Sequence, residues 1–308
     1  MELLRALAEL RTPFWDAVMG MLTYLGDETV FMAAGLIVIW CIDKKWGFRL
    51  FYMGLLGTAL NQLLKAIFLL PRPWVQDPSF SIVEAAREGA TGYSFPSGHT
   101  QSAVMLFGGI AMWCKKRWVT VMAVAVILIT AFSRMYLGVH TPLDVGVSLG
   151  AGILMLVLMH YAFRYADSGR RAVYVLGGAG MLFAAAVILY LFLAPITPAN
   201  VAEFDAHGRE SVWSLVGAML GLLCIWWIDD KYLQFPVKAV WWAQAIKCLG
   251  GLALLMAVRV VLKAPLNALF AGDAAANGLR YLIMTLVGGA VWPMTFRFFS
   301  RLGSRRKP

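Results

Sequence analysis

The sequence predicts an all-α polytopic membrane helical bundle of about nine transmembrane helices, and three observations carry that expectation. The 308 residues are 60% hydrophobic and only 14% charged, with a mean hydropathy of +0.71, where soluble domains carry about 25% charged residues. Apolar runs recur along the chain between short polar clusters, and many approach the roughly 20 residues that a helix needs to cross a hydrocarbon core of about 30 Å. The connections alternate between rich and poor in Lys and Arg, as the orientation of a polytopic chain in a bilayer requires. The alternating ten-residue segments of a membrane barrel are missing from the sequence. Helices, which satisfy their backbone groups internally, are therefore the spanning element.

Taken in order, residues 1–20 read as one interfacial amphipathic helix. Glu2, Arg5, Glu9 and Arg11 interrupt any signal-like apolar core, and Leu3, Leu7 and Leu10 form the apolar face. Spans follow at about 28–42, 48–70, 97–114, 118–137, 142–164, 172–194, 212–228, 239–262 and 280–299. An odd count places the termini on opposite sides. The basic connections hold Lys44, Lys45 and Arg49, then Lys115, Lys116 and Arg117, then Arg164, Arg170 and Arg171, then Lys231 and Lys238, and finally Arg297, Arg301, Arg305, Arg306 and Lys307. These lie in the cytoplasm, so the C-terminus is cytoplasmic and the N-terminus outside. The longest outer connection, Pro71 to Phe95, is a candidate lid, and Pro195 to Ser211 is a second, acidic one. The net charge of +10 is explained by this topology, so nucleic acid is not an expected partner. Cys41, Cys114, Cys224 and Cys248 lack metal-ligand spacing and read as buried thiols.

Three polar clusters interrupt the apolar pattern: Lys65-x6-Arg72-Pro73, Pro96-Ser97-Gly98-His99, and Ser133-Arg134-x5-His140-x3-Asp144. Ionisable residues in such places mark function. The topology puts all three at one outer membrane edge. Lys65, Arg72 and Arg134 supply three cations, two of them forked donors suited to phosphate oxygens. Pro96 suits the first turn of a helix, and the N–H groups of Ser97, Gly98 and His99 are expected to face the same anion. His140, followed by Asp144, has the arrangement of a nucleophile steadied by a carboxylate, which leaves His99 to protonate a leaving oxygen. Thr141-Pro142-Leu143-Asp144 is also a helix start with a capping box.

These clusters resemble, position for position, the signature of the type-2 phosphatidic acid phosphatase superfamily, over roughly residues 20–165. The resemblance implies a catalytic core at 21–165 and a C-terminal extension at 166–308, the core being followed by three C-terminal helices. It implies that His140 attacks phosphorus to form a phosphohistidine, that Asp144 orients it, and that His99 protonates the leaving group. Lys65, Arg72, Ser97, Gly98 and Arg134 would hold the phosphate, with no metal and no cofactor. The partners implied are a membrane lipid substrate and the bilayer, with the site on the non-cytoplasmic face of a bacterial-type plasma membrane. The nine-span plan is similar to the glucose-6-phosphatase and sphingoid-base phosphate phosphatase branches, and Tyr24-Leu25-Gly26-Asp27-Glu28 also resembles the latter. Phe95-Pro96-Ser97-Gly98-His99-Thr100, by contrast, resembles the general bacterial lipid phosphatases.

The function expected is hydrolysis of a lipid phosphate or diphosphate, of the phosphatidic acid, phosphatidylglycerol phosphate, isoprenoid diphosphate or sphingoid-base phosphate type. Transfer of the phosphoryl group to a lipid alcohol at the same site is an alternative, and a non-catalytic anion carrier is another. Outside the motifs, Gln244, Lys247 and Arg259 are polar residues within an apolar run, suited either to bonding between helices or to meeting a headgroup. His160 reads as a cytoplasmic-end residue and His207 as a loop residue.

Overall fold

In the computed structural model, residues 1–193 and 201–302 are described, and every regular element among them is helical. The order is α1 (Glu2–Glu9), α2 (Pro13–Thr23), α3 (Glu28–Ile37), α4 (Lys44–Phe68), α5 (Pro73–Gln76), α6 (Gly98–Ala103), α7 (Gly109–Cys114), α8 (Arg117–Tyr136), α9 (Pro142–Ala166), α10 (Arg170–Leu193), α11 (Val201–Ile228), α12 (Trp241–Leu269), α13 (Ala275–Leu286) and α14 (Phe296–Arg301). Short 3-10 and π segments link several of them.

All nine predicted positions are helical, but the count of spans is lower than nine. Among the described residues seven helices are long and apolar enough to cross a membrane, and there are eight if the pair Pro13–Gly26 and Glu28–Ile42, bent by 51°, is one span. The segment at 98–114 is divided into α6, a π turn at Val104–Gly108 and α7. It ends where Lys115 adopts a left-handed conformation. Beyond residue 165 four long apolar helical stretches stand at the four spans expected from 172 onward, one more than the three C-terminal helices expected after the core. The second outer connection is also shorter than expected, because α11 already begins at Val201. His207 therefore sits on a helix and not in a loop, while its side chain, with those of Glu203 and Asp205, lies outside the described residues, as do Arg305, Arg306 and Lys307.

The amino-terminal twenty residues form two helices. Thr12 caps α2 by accepting from the Trp15 N–H, and Pro13 occupies its first turn, a pairing that starts a new helix and ends the old one. The apolar face also differs: Leu4 and Leu7 are buried whereas Leu3 and Leu10 are exposed.

The chain forms two compact units: residues 1–31 with 56–208, and residues 32–55 with 209–308. In the first, Leu4, Phe80 and Ile82 form one buried cluster, and Ala86, Ala90, Tyr136, Leu137 and Val139 form another. The 71–95 connection is thereby docked on α1 and on the end of α8. Arg11 reinforces this by donating to the carbonyls of Tyr136 and Ser81, and the Val83 N–H donates to the Leu137 carbonyl.

In the second unit the core is Ile39, Trp40, Phe235, Ala243, Leu255, Phe296 and Phe299. Lys247 is fully buried there and donates to the carbonyls of Trp40 and Val237 and to Gln244 Oε1. Gln244 in turn donates to the carbonyls of Cys41 and Val237. Of the two roles open to this pair, bonding between segments is the one observed. Arg259 is exposed. All four cysteines are free, and Cys224 is exposed where a buried thiol was expected.

Candidate active site

Two helix starts build the site, and both follow from local sequence. Ser97 is the N-cap of α6, and its Oγ accepts from the Thr100 N–H at 3.4 Å and the Thr100 hydroxyl at 3.0 Å. Thr141 caps α9 with Pro142 in the first turn. A reciprocal capping box joins Thr141 Oγ1 to the Asp144 N–H and Asp144 Oδ2 to the Thr141 N–H. The two starts are then tied together. The Ser97 N–H donates to the Asp144 carbonyl at 3.2 Å, and the Ser148 hydroxyl bridges the carbonyls of Ser97 and Asp144.

Two expectations change here. Pro96 lies ahead of the N-cap, after a cis Phe95–Pro96 bond, and not in the first helical turn. The Ser97 N–H is engaged by Asp144, so it is not one of the donors left for an anion. Gly98 has ordinary space around it: a Cβ there would meet only Asn61 Oδ1, at 3.7 Å.

His140 lies in the linker between α8 and α9 and is 1% exposed. Its Nε2 is 2.9 Å from Arg72 Nη1. A guanidinium can only donate, so Nε2 is the acceptor and the ring proton resides on Nδ1. That nitrogen faces Asp144 Oδ2 at 3.5 Å and Ser94 Oγ at 3.5 Å. Burial first, and then the nearby cations Arg72, Arg134 and Lys65 and the ring of His99, hold the His140 imidazole well below its usual range. The neutral ring therefore presents an in-plane lone pair on Nε2, as a nucleophile requires.

Around this lone pair stand the predicted cations. Arg72 donates to the carbonyls of Gly92, Val139 and Thr91 as well as to His140, so much of its fork fixes the end of the docked connection. Lys65 Nζ donates to the Tyr93 carbonyl. Arg134, 1% exposed, donates through Nη1 to Thr23 Oγ1 at 2.8 Å. Its Nε and Nη2 are buried without a partner among the described residues. Buried donors of a charged group that find no acceptor cost about 1–3 kcal/mol or more, and an anion supplies the acceptors. His99 lies at the start of α6, with Nε2 3.8 Å from Asp27 Oδ2. Its charge interactions reach Arg134, Arg72 and Lys65.

The structure thus brings Lys65, Arg72, Ser97, Gly98, His99, Arg134, His140 and Asp144 together in one unit. It also adds residues that the sequence reading missed. Ser94 donates to Asp144 Oδ2 at 2.5 Å. Asn61 donates to the Pro96 carbonyl and to Gln101 Oε1, and Gln101 donates to the Gly57 carbonyl, bracing α6 on α4. Thr23 and Asp27 come from upstream of the motifs. For Ser94 a signal existed, a serine just before the Pro96-Ser97 turn; for Asn61 the polar pair with Gln101 on neighbouring apolar helices was the available one. Among the described residues, no group of three or more His, Cys, Asp or Glu side chains is gathered to hold a metal ion.

The chain is 29% identical over 235 residues to the probable sphingosine-1-phosphate phosphatase of Dictyostelium discoideum, covering 72% of this chain and 56% of that one. It is 32% identical over 114 residues to the undecaprenyl-diphosphatase BcrC of Bacillus subtilis, covering 37% of this chain and 54% of the relative. With the phosphatidylglycerophosphatase B of Bacillus subtilis it shares 28% identity over 169 residues, 50% of this chain and 78% of the relative. The chain spans little more than half the length of the first two. No solved structure matches it. Residues 46–168 match the PAP2 superfamily, and residues 213–305 match the transmembrane extension of PAP2 superfamily phosphatases. With the matched domain enclosing all three motifs and the matched extension following it, the chain belongs to the PAP2 superfamily.

Proposed function

We propose that this integral membrane protein is a phosphatase that hydrolyses a lipid phosphate or diphosphate through a phosphohistidine on His140. The observation that carries the reading is the buried Nε and Nη2 edge of Arg134, without a partner among the described residues, beside a neutral imidazole whose Nε2 lone pair touches Arg72. Such a cradle fits a tetrahedral oxyanion in front of a nitrogen nucleophile.

Phosphate oxygens would take the free donors of Arg134, with Lys65 and Arg72 adding charge and Gly98 leaving room beside the α6 start. Arg72 Nη1 passes from His140 Nε2 to a phosphate oxygen, freeing the lone pair. Nε2 attacks phosphorus as the bond to the leaving oxygen breaks, and His99 gives that oxygen its proton. Asp144, held by Ser94 and Thr141, faces the Nδ1 proton and stabilises the charge that develops on the ring. Water then attacks the phosphohistidine, giving its proton to His99 and releasing inorganic phosphate. The basic connections around Lys44, Lys115 and Arg170 lie at the helix ends away from the motifs, which supports a site on the non-cytoplasmic face.

The relatives named for sphingosine-1-phosphate, undecaprenyl diphosphate and phosphatidylglycerophosphate substrates share a phosphate joined to a long apolar chain, and that class is the one assigned to this site. The test is phosphate release in detergent from a panel of lipid mono- and diphosphates, with chelator present. The parent should release phosphate, and His140→Ala should not. Equal rates for the two would remove the nucleophile.

A further inference from the structure

Each histidine of the site has a carboxylate of its own. Asp144 faces His140, and on the other side Asp27 faces His99, from a segment that precedes the matched domain at 46–168. We infer that Asp27 is the positioning residue of the proton donor, holding His99 by Nε2 so that its Nδ1 meets the leaving oxygen. The inference rests on the phosphatase reading above and assigns one more residue to it.

Two contacts independent of the ion pair seat the segment 23–27 on the site, and one bond within it fixes its shape. Thr23 Oγ1 accepts from Arg134 Nη1 at 2.8 Å. The Asp27 N–H donates to the Tyr24 carbonyl, closing a 3-10 turn. Gly26 touches His99 directly, since a Cβ at Gly26 would collide with the His99 carbonyl oxygen. The carboxylate itself is fixed at the start of α3, where Oδ1 accepts from the Thr29 N–H at 2.7 Å. Oδ2 is left to face the ring.

The charges explain why an acid here needs such a partner. Burial disfavours a proton on His99 first, and Arg134 on α8, Arg72 ahead of α5 and Lys65 from α4 add to that; the same three cations act on the His140 ring. Three cations repel a proton on the ring, and Asp27, with Oδ2 3.8 Å from Nε2, is the carboxylate placed to oppose them. The 3.8 Å gap is within the reach of a ring rotation once the imidazolium forms, and catalytic hydrogen bonds are often long before substrate binds. On transfer, the Nδ1 proton passes to the leaving oxygen, which keeps the electron pair of the broken P–O bond. The ring is left neutral with its remaining proton on Nε2, toward Asp27.

The test compares an ester that needs an acid with one that does not. Asp27→Asn retains a good helix cap, and Asp27→Ser is a second variant with the same property. For dodecyl phosphate, whose alkoxide is a poor leaving group, kcat/KM should fall by about tenfold or more, within the range of general acid catalysis. For p-nitrophenyl phosphate the loss should be several times smaller. The basic limb of the pH profile should also move to lower pH, and Asp27→Asn should add nothing to His99→Gln. Equal losses on the two esters with an unmoved basic limb, in a system where His140→Ala is dead, would overturn this inference alone. Phosphate release from both esters that survives His140→Ala would overturn the phosphatase reading and this inference with it.

Discussion

The Ser94 hydroxyl donates to Asp144 Oδ2 at 2.5 Å, and the same carboxylate oxygen takes the Thr141 N–H at 2.7 Å. Asp144 is therefore held by two donors before it meets His140. Its capping duty and the orienting role proposed for it use one geometry, because the cap turns the carboxylate toward the ring one turn back. Ser94→Ala should leave the α9 cap in place but loosen the Asp144–His140 alignment. The expected result is a fall in kcat of about tenfold, equivalent to about 1.4 kcal/mol, with KM changed much less. Steady-state kinetics on a lipid phosphate checks it, and a change confined to KM would contradict it.

In the proposed mechanism His140 sets the acid limit of activity. Burial and the surrounding cations lower its folded-state pKa, so the ring stays neutral to a pH below the ordinary imidazole value of about 6.5. The acid limb of kcat/KM, which reports the free enzyme, should accordingly lie below pH 6.5. The sign for stability is the same. Between the two pKa values the unfolded chain binds the proton more readily, so stability falls as pH drops through that window. A limb at or above pH 7 would show that the cations do not face the ring as described.

Much of the site was legible because its residues sit at fixed spacings in an otherwise apolar chain, where each ionisable group is conspicuous. His140 and Asp144 are one helical turn apart, and Thr141-Pro142 announces the turn that joins them. Ser94, Asn61, Thr23 and Asp27 were not legible in the same way, because their roles depend on which segments approach each other. Gly26, for instance, meets His99 only through the fold. The break between α1 and α2 carried a readable signal, Thr12-Pro13, that was outweighed by the apolar spacing of Leu3, Leu7 and Leu10. The span count suffered from the same limit: composition shows an apolar run at 97–114, while the π turn at Val104–Gly108 is a tertiary feature, with Gly108 pressed against Leu156 and Gly152 against Val104.

Lys247 links α12 to the segments carrying Trp40 and Val237, with Nζ 4.2 Å from the centre of the Phe296 ring. Its three acceptors lie at 2.8, 2.9 and 3.0 Å. Lys247→Met keeps the stem and removes the donors, leaving carbonyls in an apolar surround. A destabilisation on the order of 2 kcal/mol is expected from the lost charged hydrogen bonds. It should appear as a lower thermal transition in detergent, with kcat per folded molecule retained. A specific loss of kcat at unchanged stability would instead return Lys247 to the substrate-contact role.

Gly217 and Gly221 form a G-x-x-x-G pair on α11, a spacing that lets membrane helices approach at backbone distance. A Cβ on Gly217 would collide with the Gly278 carbonyl oxygen on α13, and one on Gly221 would fall 2.6 Å from Thr285 Cβ. Backbone cannot yield as a side-chain tip can, so Gly217→Ala must push α11 and α13 apart. Overpacking of this kind costs about 1–3 kcal/mol. A Cβ on Gly178 of α10 would meet nothing within 4 Å, and Gly178→Ala should be neutral or stabilising by up to about 1 kcal/mol from helix propensity. Thermal unfolding of the two variants side by side in the same detergent separates packing from propensity. Equal transitions would mean that α11 and α13 are not in backbone contact at Gly217.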